Sequence, residues 1–82
     1  MKDKKLIFIE SKVDALDMRM LGQLIGYCLV AQPKEAFLLS TQSLSPRLVN
    51  ALSAKPEVLS FGNGKRIQIG QIKGKRVEIH AI

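Results

Sequence analysis

An acidic and a basic residue stand at the end of a short apolar run near the start of the chain. Residues 6–9, LIFI, are followed by Glu10, Ser11 and Lys12. Because alternate residues of a strand point the same way, Glu10 and Lys12 project together and Ser11 points to the opposite face. A carboxylate can hold Mg²⁺ or Mn²⁺, and a nearby lysine can position a water or stabilise charge on a phosphate. The alternative is the polar end of an ordinary strand.

Local patterns predict the elements that position these two residues. LIFI at 6–9 and AFLL at 36–39 are continuous apolar runs, typical of strands covered on both faces. A helix is predicted over residues 15–31, with Asp14 as its N-cap and Pro33 beyond its end. Strand, helix and strand form a βαβ unit, whose crossover is right-handed in about 98% of cases. The core side chains predicted on this helix are Leu21, Leu24, Ile25, Cys28 and Leu29.

A second, shorter helix is predicted after the second strand. In SPRLVNALSA, Ser45 suits the N-cap and Pro46 the first helical position, and the helix ends before Pro56. On the first helix, Gly22 and Gly26 lie four residues apart, which predicts a flat patch that another backbone can approach closely.

From Val58 onward the alternation of apolar and polar residues predicts an antiparallel β-meander. GNG at 62–64 and IKG at 72–74 suit three-residue loops, with Gly64 and Gly74 in the left-handed conformation. Such loops keep odd-numbered residues opposite odd-numbered ones, so we expect one apolar face and one basic, polar face. The predicted apolar face comprises Leu59, Phe61, Ile67, Ile69, Val77 and Ile79.

Positive charge is concentrated in this meander. The net charge is +6 overall, and residues 61–76 contain five cations and no acid. A one-sided cationic patch is the electrostatic footprint of a polyanion, most often nucleic acid. The alternative is a solvated surface that keeps the protein soluble. The candidate nucleic-acid-binding cations are Lys65, Arg66, Lys73, Lys75 and Arg76.

A strand ending in Glu-x-Lys, then a helix with Gln-x-x-x-Tyr, then a buried strand resembles the second half of the PD-(D/E)xK nuclease core. This restriction-endonuclease-like superfamily includes the RecB-type nucleases and Holliday-junction resolvases. The resemblance covers residues 6–54. It implies that Glu10 and Lys12 are catalytic if the protein is active, with Glu10 as the ligand of Mg²⁺ or Mn²⁺. It also implies that the Gln23 and Tyr27 helix flanks the catalytic strand end.

Arg19, Gln23 and Tyr27 form one stripe on that helix, because they are spaced four residues apart. The resemblance implies that the stripe is directed towards bound DNA. The alternative interpretation places Tyr27 at the edge of the core and Gln23 in solvent.

One feature departs from the resemblance. Family enzymes need a second aspartate from a preceding strand, and only nine residues precede Glu10. Asp3 is the one acid among them, and seven residues of extended chain place it roughly 23 Å from Glu10. Asp14 and Asp17 suit helix capping better than metal binding. We therefore expect a degenerate core, and the chain is not expected to be an enzyme by itself.

Length and composition limit the remaining possibilities. With 82 residues and 46% apolar content, the chain is expected to form one globular domain with a nuclease-like half (6–54) and a basic meander (57–82). The predicted fold class is α/β (α+β), a small mixed sheet from the βαβ unit with a second short helix and the antiparallel meander. The single cysteine and the lack of a signal-peptide or membrane-spanning pattern favour a cytoplasmic location.

Three functions remain open from the sequence. The first is a small basic nucleic-acid-binding protein, non-catalytic, with DNA as the expected ligand and the choice between DNA and RNA left open, acting alone or as an accessory subunit of a replication or repair complex. The second is a metal-dependent nuclease completed by homo-oligomerisation or by a partner chain. The third is a protein-interaction subunit, without nucleic-acid contact. The expected protein partners are further copies of the chain, in a homo-oligomer, or the other subunits of a larger complex; no membrane partner is expected. No cofactor is expected, except Mg²⁺ or Mn²⁺ in the second case. The lone His80 is expected on the surface beside Glu78.

Overall fold

The computed structural model describes residues 6–82 of the chain. Two α-helices and a short 3₁₀ helix accompany five strands. In chain order these are β1 (Ile7–Lys12), α1 (Met18–Ala31), β2 (Glu35–Ser40), α2 (Pro46–Ala54), the 3₁₀ helix (Pro56–Leu59), β3 (Ser60–Gly62), β4 (Lys65–Lys73) and β5 (Arg76–His80).

The five strands form one mixed sheet with β4 as its central strand. β1, β2 and β4 run parallel to one another, in that order across the sheet. β3 pairs antiparallel with the first residues of β4, and β5 pairs antiparallel with its last five. The predicted mixed α/β sheet is therefore confirmed.

Both helices pack on the same face of the sheet, which we call the helix face. Ala36 and Leu38 of β2 lie beside Ile67 and Ile69 of β4 on this face, and all four are buried. From the helices, Leu21, Leu24, Cys28, Leu48 and Leu52 complete the core. The shortest dimension of the molecule is 19 Å, which fits one sheet layer and one helix layer.

Helix α1 begins three residues later than the sequence predicts. Asp17, not Asp14, is the N-cap: it has extended backbone angles, and its carboxylate accepts a hydrogen bond of 2.9 Å from the Met20 amide. The helix ends at Ala31 as predicted. Gln32 follows in the left-handed conformation, and its side-chain amide donates a 2.8 Å hydrogen bond to the Phe61 carbonyl of β3.

Helix α2 begins as predicted, with Ser45 as the N-cap and Pro46 in the first turn. The Ser45 hydroxyl accepts a 3.1 Å hydrogen bond from the Leu48 amide. Among residues 6–82, neither helix is long and apolar enough to cross a membrane.

The two hairpin loops are shorter than predicted, and the second one changes the faces of β5. Gly64 and Gly74 have positive φ, as expected, but each loop has only two residues. The first is Asn63-Gly64, with both residues at positive φ, which is the requirement of a type I′ turn. In the second hairpin Ile69 lies opposite His80 and Ile72 opposite Val77. Odd-numbered residues of one strand are therefore paired with even-numbered residues of the other. As a result, Val77 and Ile79 lie on the opposite face of the sheet from Ile67 and Ile69, and the prediction that all four share a face is wrong.

The opposite side of the sheet, which we call the open face, is apolar and has no described element packed on it. It explains one further correction. β1 was predicted to be covered on both faces, but it is an edge strand with Ile7 and Ile9 47% and 64% exposed. On α1, Leu29 was assigned to the core and is instead exposed. Strand alternation and the pairing registers also place the polar residues Ser11, Glu35, Arg66 and Gln68 on this face. The apolar residues of the open face are Ile7, Ile9, Phe37, Leu39, Ile72, Val77 and Ile79.

Alanine at Gly70 is expected to lower the free energy of unfolding by about 1–3 kcal/mol, because the added Cβ has no room. It would lie 2.5 Å from the Glu78 carbonyl oxygen and 3.1 Å from Leu39 Cδ2. Gly22→Ala is the control, since its Cβ would meet nothing within 4 Å, and we expect a gain of up to about 1 kcal/mol. Urea unfolding measures both. Equal effects would contradict the close packing of β5 against β4 at Gly70.

The position of the helix cap can be tested by comparing two aspartates. Asp17→Ala is expected to cost about 1 kcal/mol of stability, because the Met20 amide loses its acceptor. Asp14→Ala should change stability by less than about 0.5 kcal/mol, because Asp14 is exposed and the Ser40 hydroxyl binds its main-chain carbonyl. Thermal unfolding followed by circular dichroism measures the two changes. A larger loss for Asp14→Ala would restore the earlier helix start.

Candidate functional site

The edge position of β1 exposes the candidate catalytic residues. Glu10 and Lys12 lie on the helix face of β1, in register with Leu38 and Ser40 of β2. No strand among the described residues covers the outer edge of β1, and α1 passes above it. An open groove of about 360 Å³ lies between them, and we call it the edge groove. Its lining residues are Glu10, Lys12, Met20, Gln23, Leu24 and Tyr27.

Glu10 and Lys12 are joined by an ion pair in the edge groove. The Lys12 ammonium nitrogen is 3.2 Å from a carboxylate oxygen of Glu10, and both side chains are partly exposed to solvent. Exposed pairs of this kind contribute about 0–1 kcal/mol. A bound phosphate or cation can therefore replace either partner at little cost.

The helical stripe divides in the structure. Gln23 and Tyr27 line the edge groove, as the sequence led us to expect, whereas Arg19 is exposed on the same helix outside the lining. Tyr27 is 68% exposed and Gln23 is exposed, so the alternative with Tyr27 at the edge of the core and Gln23 in solvent also fits the structure. Its ring packs edge-on against Phe8, with centroids 5.8 Å apart and an interplanar angle of 86°. This contact holds the aromatic ring beside the groove.

An apolar depression continues the edge groove along β1. It has a volume of about 520 Å³ and shares Glu10, Leu24 and Tyr27 with the groove. Its other lining residues are Leu6, Ile7, Phe8 and Ile9. Together the two cavities offer a carboxylate, an ammonium, an amide and a phenol beside an apolar strand edge.

Of the residues that the structure describes, Glu10 supplies the one carboxylate of the edge groove lining. The Asp17 carboxylate is engaged at the helix cap. Within residues 6–82, no three His, Cys, Asp or Glu side chains form a group able to hold a metal ion. Asp3, whose separation from Glu10 was estimated from the sequence, lies outside the described residues 6–82.

The five candidate cations of the meander do not form one patch. Lys65 and Arg66 follow the first turn, whereas Lys73, Lys75 and Arg76 surround the second. Eight residues of extended strand separate Lys65 from Lys73, which is about 26 Å. Arg66 lies on the open face and Arg76 on the helix face, so the expectation of a single basic face is wrong. We call the two groups the first-turn cations and the second-turn cations.

Glu78 partly neutralises the second-turn cations. Its carboxylate is 2.8 Å from the Lys73 ammonium and 3.7 Å from the Arg76 guanidinium. All three side chains are exposed, so the pairs are weak and open to exchange with a polyanion. As expected, His80 is exposed on the same face of β5 as Glu78.

Only the second-turn cations lie at the same end of the sheet as the edge groove. Lys12, Ser40 and Gln71 are in register across the parallel strands. Lys73 is two residues beyond Gln71 and two strands from Lys12. These spacings put the Cα atoms of Lys12 and Lys73 about 12 Å apart. Carboxyl ends of parallel strands are a frequent location for ligand sites in α/β sheets.

The first-turn cations belong to a separate depression at the opposite end of β4. Lys65 and Arg66 line a cavity of about 580 Å³ together with Lys34 and His80. The sequence reasoning missed Lys34, because its proximity depends on the parallel pairing of β2 with β4. Aligning β2 and β4 as parallel neighbours in the sequence would have placed Lys34 near the first-turn cations.

Cys28 takes no part in these sites. It lies on the buried side of α1 that packs into the core, and burial raises the pKa of its thiol. The prediction that it is a buried apolar-type residue is confirmed.

Comparisons with protein-family models, curated proteins and solved structures find no match to this chain. The fold and the site define a class of protein all the same. The chain is a two-layer α/β domain with a mixed five-stranded sheet, an open polar groove beside an edge strand, and cations at both ends of the central strand.

Proposed function

We propose that the chain is a small DNA-binding module, non-catalytic by itself, that acts alone or as an accessory subunit of a replication or repair complex. The observation that supports this most is the edge groove, which gathers Lys12, Gln23 and Tyr27 at the end of the sheet that also carries the second-turn cations. The resemblance to a degenerate nuclease core supports the same ligand.

The chemistry of this end of the sheet suits the backbone of a nucleic acid. Lys12 can bind a phosphate after exchange with Glu10, and Gln23 can donate to phosphate or sugar oxygens. Tyr27 presents an exposed ring on which a base can stack, and such stacking contributes about 1–3 kcal/mol. Lys73, Lys75 and Arg76 extend the phosphate contacts about 12 Å further.

Binding through phosphate contacts makes the affinity depend on salt and little on sequence. Replacing Lys73, Lys75 and Arg76 by Gln should weaken single-stranded DNA binding at least about 10-fold at low salt. It should also reduce the slope of log K against log salt by about 2, because each lost contact accounts for about 0.7. Fluorescence anisotropy of a labelled oligonucleotide at several salt concentrations measures both quantities.

A matched control removes the same charge from the other end of β4. The Lys34, Lys65 and Arg66→Gln variant also loses three cations, and we expect a smaller loss of affinity. Tyr27 fluorescence gives an independent readout, because the chain contains one Tyr and no Trp. If the wild type and both triple variants bind DNA equally poorly at low salt, the proposal fails.

A second candidate is a metal-dependent nuclease whose remaining carboxylate comes from another copy or a partner chain. The observation that favours it is the pair of Glu10 and Lys12 side chains, 3.2 Å apart in a groove that another chain can reach. With Mg²⁺ or Mn²⁺ present, Glu10 would be one ligand and Lys12 would position a water or stabilise the phosphate.

Glu10→Gln separates the two candidates. For a binding module without metal, we expect DNA affinity to rise a few-fold, because a carboxylate that repels phosphate and holds Lys12 is removed. For a nuclease, the same substitution and Lys12→Met should each abolish cleavage of single-stranded, duplex or branched DNA with Mg²⁺ or Mn²⁺. Cleavage that survives Glu10→Gln would come from a contaminant and would remove the nuclease candidate.

A further inference from the structure

The open face is unusual for a sheet with this topology. Parallel strands such as β1, β2 and β4 are normally covered on both faces, because their side chains are apolar on both sides. Here both helices lie on the helix face, since the side chains of α1 and α2 join the core cluster with Leu38 and Ile69. Leu39 is buried but outside that cluster, because it packs on the other side of the sheet against Gly70.

The open face is continuous and carries little charge. Ile9, Phe37 and the exposed Gln68 form one row across β1, β2 and β4, and Leu39, Gly70 and Ile79 form the next row across β2, β4 and β5. Its charged members are Glu35 and Arg66, which sit side by side at one end by extension of the β2 and β4 register. Their charges cancel, so the net charge of the chain lies elsewhere and does not oppose contact of two such faces.

The width of the open face favours a second sheet over a single helix. Four strands at about 4.8 Å give a width of about 19 Å, and six residues at about 3.3 Å give a length of about 20 Å. One helix is about 10 Å across, so it would cover half of that width. A second open face has the same dimensions and covers all of it.

The area also fits a pair of copies. The width and length of the open face give a flat area of roughly 400 Å². Because side chains protrude from it, the solvent-accessible surface is larger, roughly 600 Å² per copy. Two such faces bury roughly 1,200 Å², the lower end of specific protein interfaces. The largest apolar patch on a typical monomer is about 300–600 Å², so this face is at the upper end of that range.

We propose that the open faces of two copies of this chain pack on each other to form a symmetric dimer. Ile9, Phe37 and Ile79 of each copy lie at the centre of the interface, and the two sheets stack about 10 Å apart at an angle near −30°. The edge grooves and the second-turn cations stay accessible, because they lie on the helix face and at the sheet ends. The dimer therefore carries two nucleic-acid surfaces, whereas its formation needs no nucleic acid.

Sedimentation equilibrium without nucleic acid, at about 1–300 µM chain, tests the dimer. The wild type is expected to reach twice the 9.1 kDa mass of one chain. Ile79→Lys is expected to weaken association by about 100-fold or more, because twofold symmetry places two unpaired ammonium groups in the interface. Ile9→Lys should have the same effect. Both residues are exposed in one copy, so the monomer should keep its fold, which circular dichroism checks.

Val30→Lys is the matched control. Val30 is 87% exposed on α1, on the other side of the molecule, so the same change of chemistry there should leave the dimer intact. Ile79→Lys also separates face packing from edge-to-edge pairing through β1, because β5 lies three strands away from that edge. A dimer that survives both Ile79→Lys and Ile9→Lys would overturn the proposal.

A wild type that stays monomeric throughout this range would also overturn it. The open face would then be a candidate binding surface for a different protein. A hydrophobic dye gives a second measurement on the unaltered chain. Its fluorescence per chain should fall as the chain concentration rises, because dimer formation buries the open faces. Constant dye binding per chain would count against the dimer. None of these readouts depends on DNA, so the dimer and the proposed function can fail separately.

Discussion

The parallel pairing of β4 with β2 is the constraint on which the rest of the structure depends. It makes β1, β2 and β4 run in one direction, so their carboxyl ends share one end of the sheet. Successive right-handed connections that advance in the same direction must cross on the same face. Helices α1 and α2 therefore both cover the helix face, where Leu38 and Ile69 lie beneath them. The same pairing leaves β1 at the edge and the other face of the sheet without a layer from the described residues.

The candidate site follows from the edge position of β1. Were β1 an inner strand, Glu10 would be covered by a neighbouring strand, and the groove with Gln23 and Tyr27 would be closed. The exposure of Ile9 has the same origin, because an edge strand has neighbours on one side only. The edge groove and the open face thus result from one topological fact, although their chemistry differs: the first is polar and lies under α1, whereas the second is apolar and nearly neutral.

Local signals in the sequence predicted most elements but not their environment. Ser45 and Pro46 identified the start of α2, and the apolar runs identified β1 and β2, because caps and short-range patterns act within a few residues. The same run LIFI is compatible with an inner or an edge strand, so the exposure of Ile7 and Ile9 could not be read from it. Of the candidate site, the closeness of Glu10, Lys12, Gln23 and Tyr27 was predictable, because one strand and the helix after it carry all four residues.

Among the differences between the predicted and the observed structure, the length of the second hairpin loop has the largest effect. Gly74 was correctly assigned a positive φ, but the loop is Gly74-Lys75 and not a three-residue loop. A change of one residue in register moves every side chain of the following strand to the other face. Val77 and Ile79 therefore join the open face, and Arg76, Glu78 and His80 lie on the side of the helices. With a three-residue loop, β5 would present those polar groups on the open face instead. The two-residue loop thus adds Val77 and Ile79 to the apolar residues of the open face and puts Arg76 beside Lys73, so one turn contributes to both proposed binding surfaces.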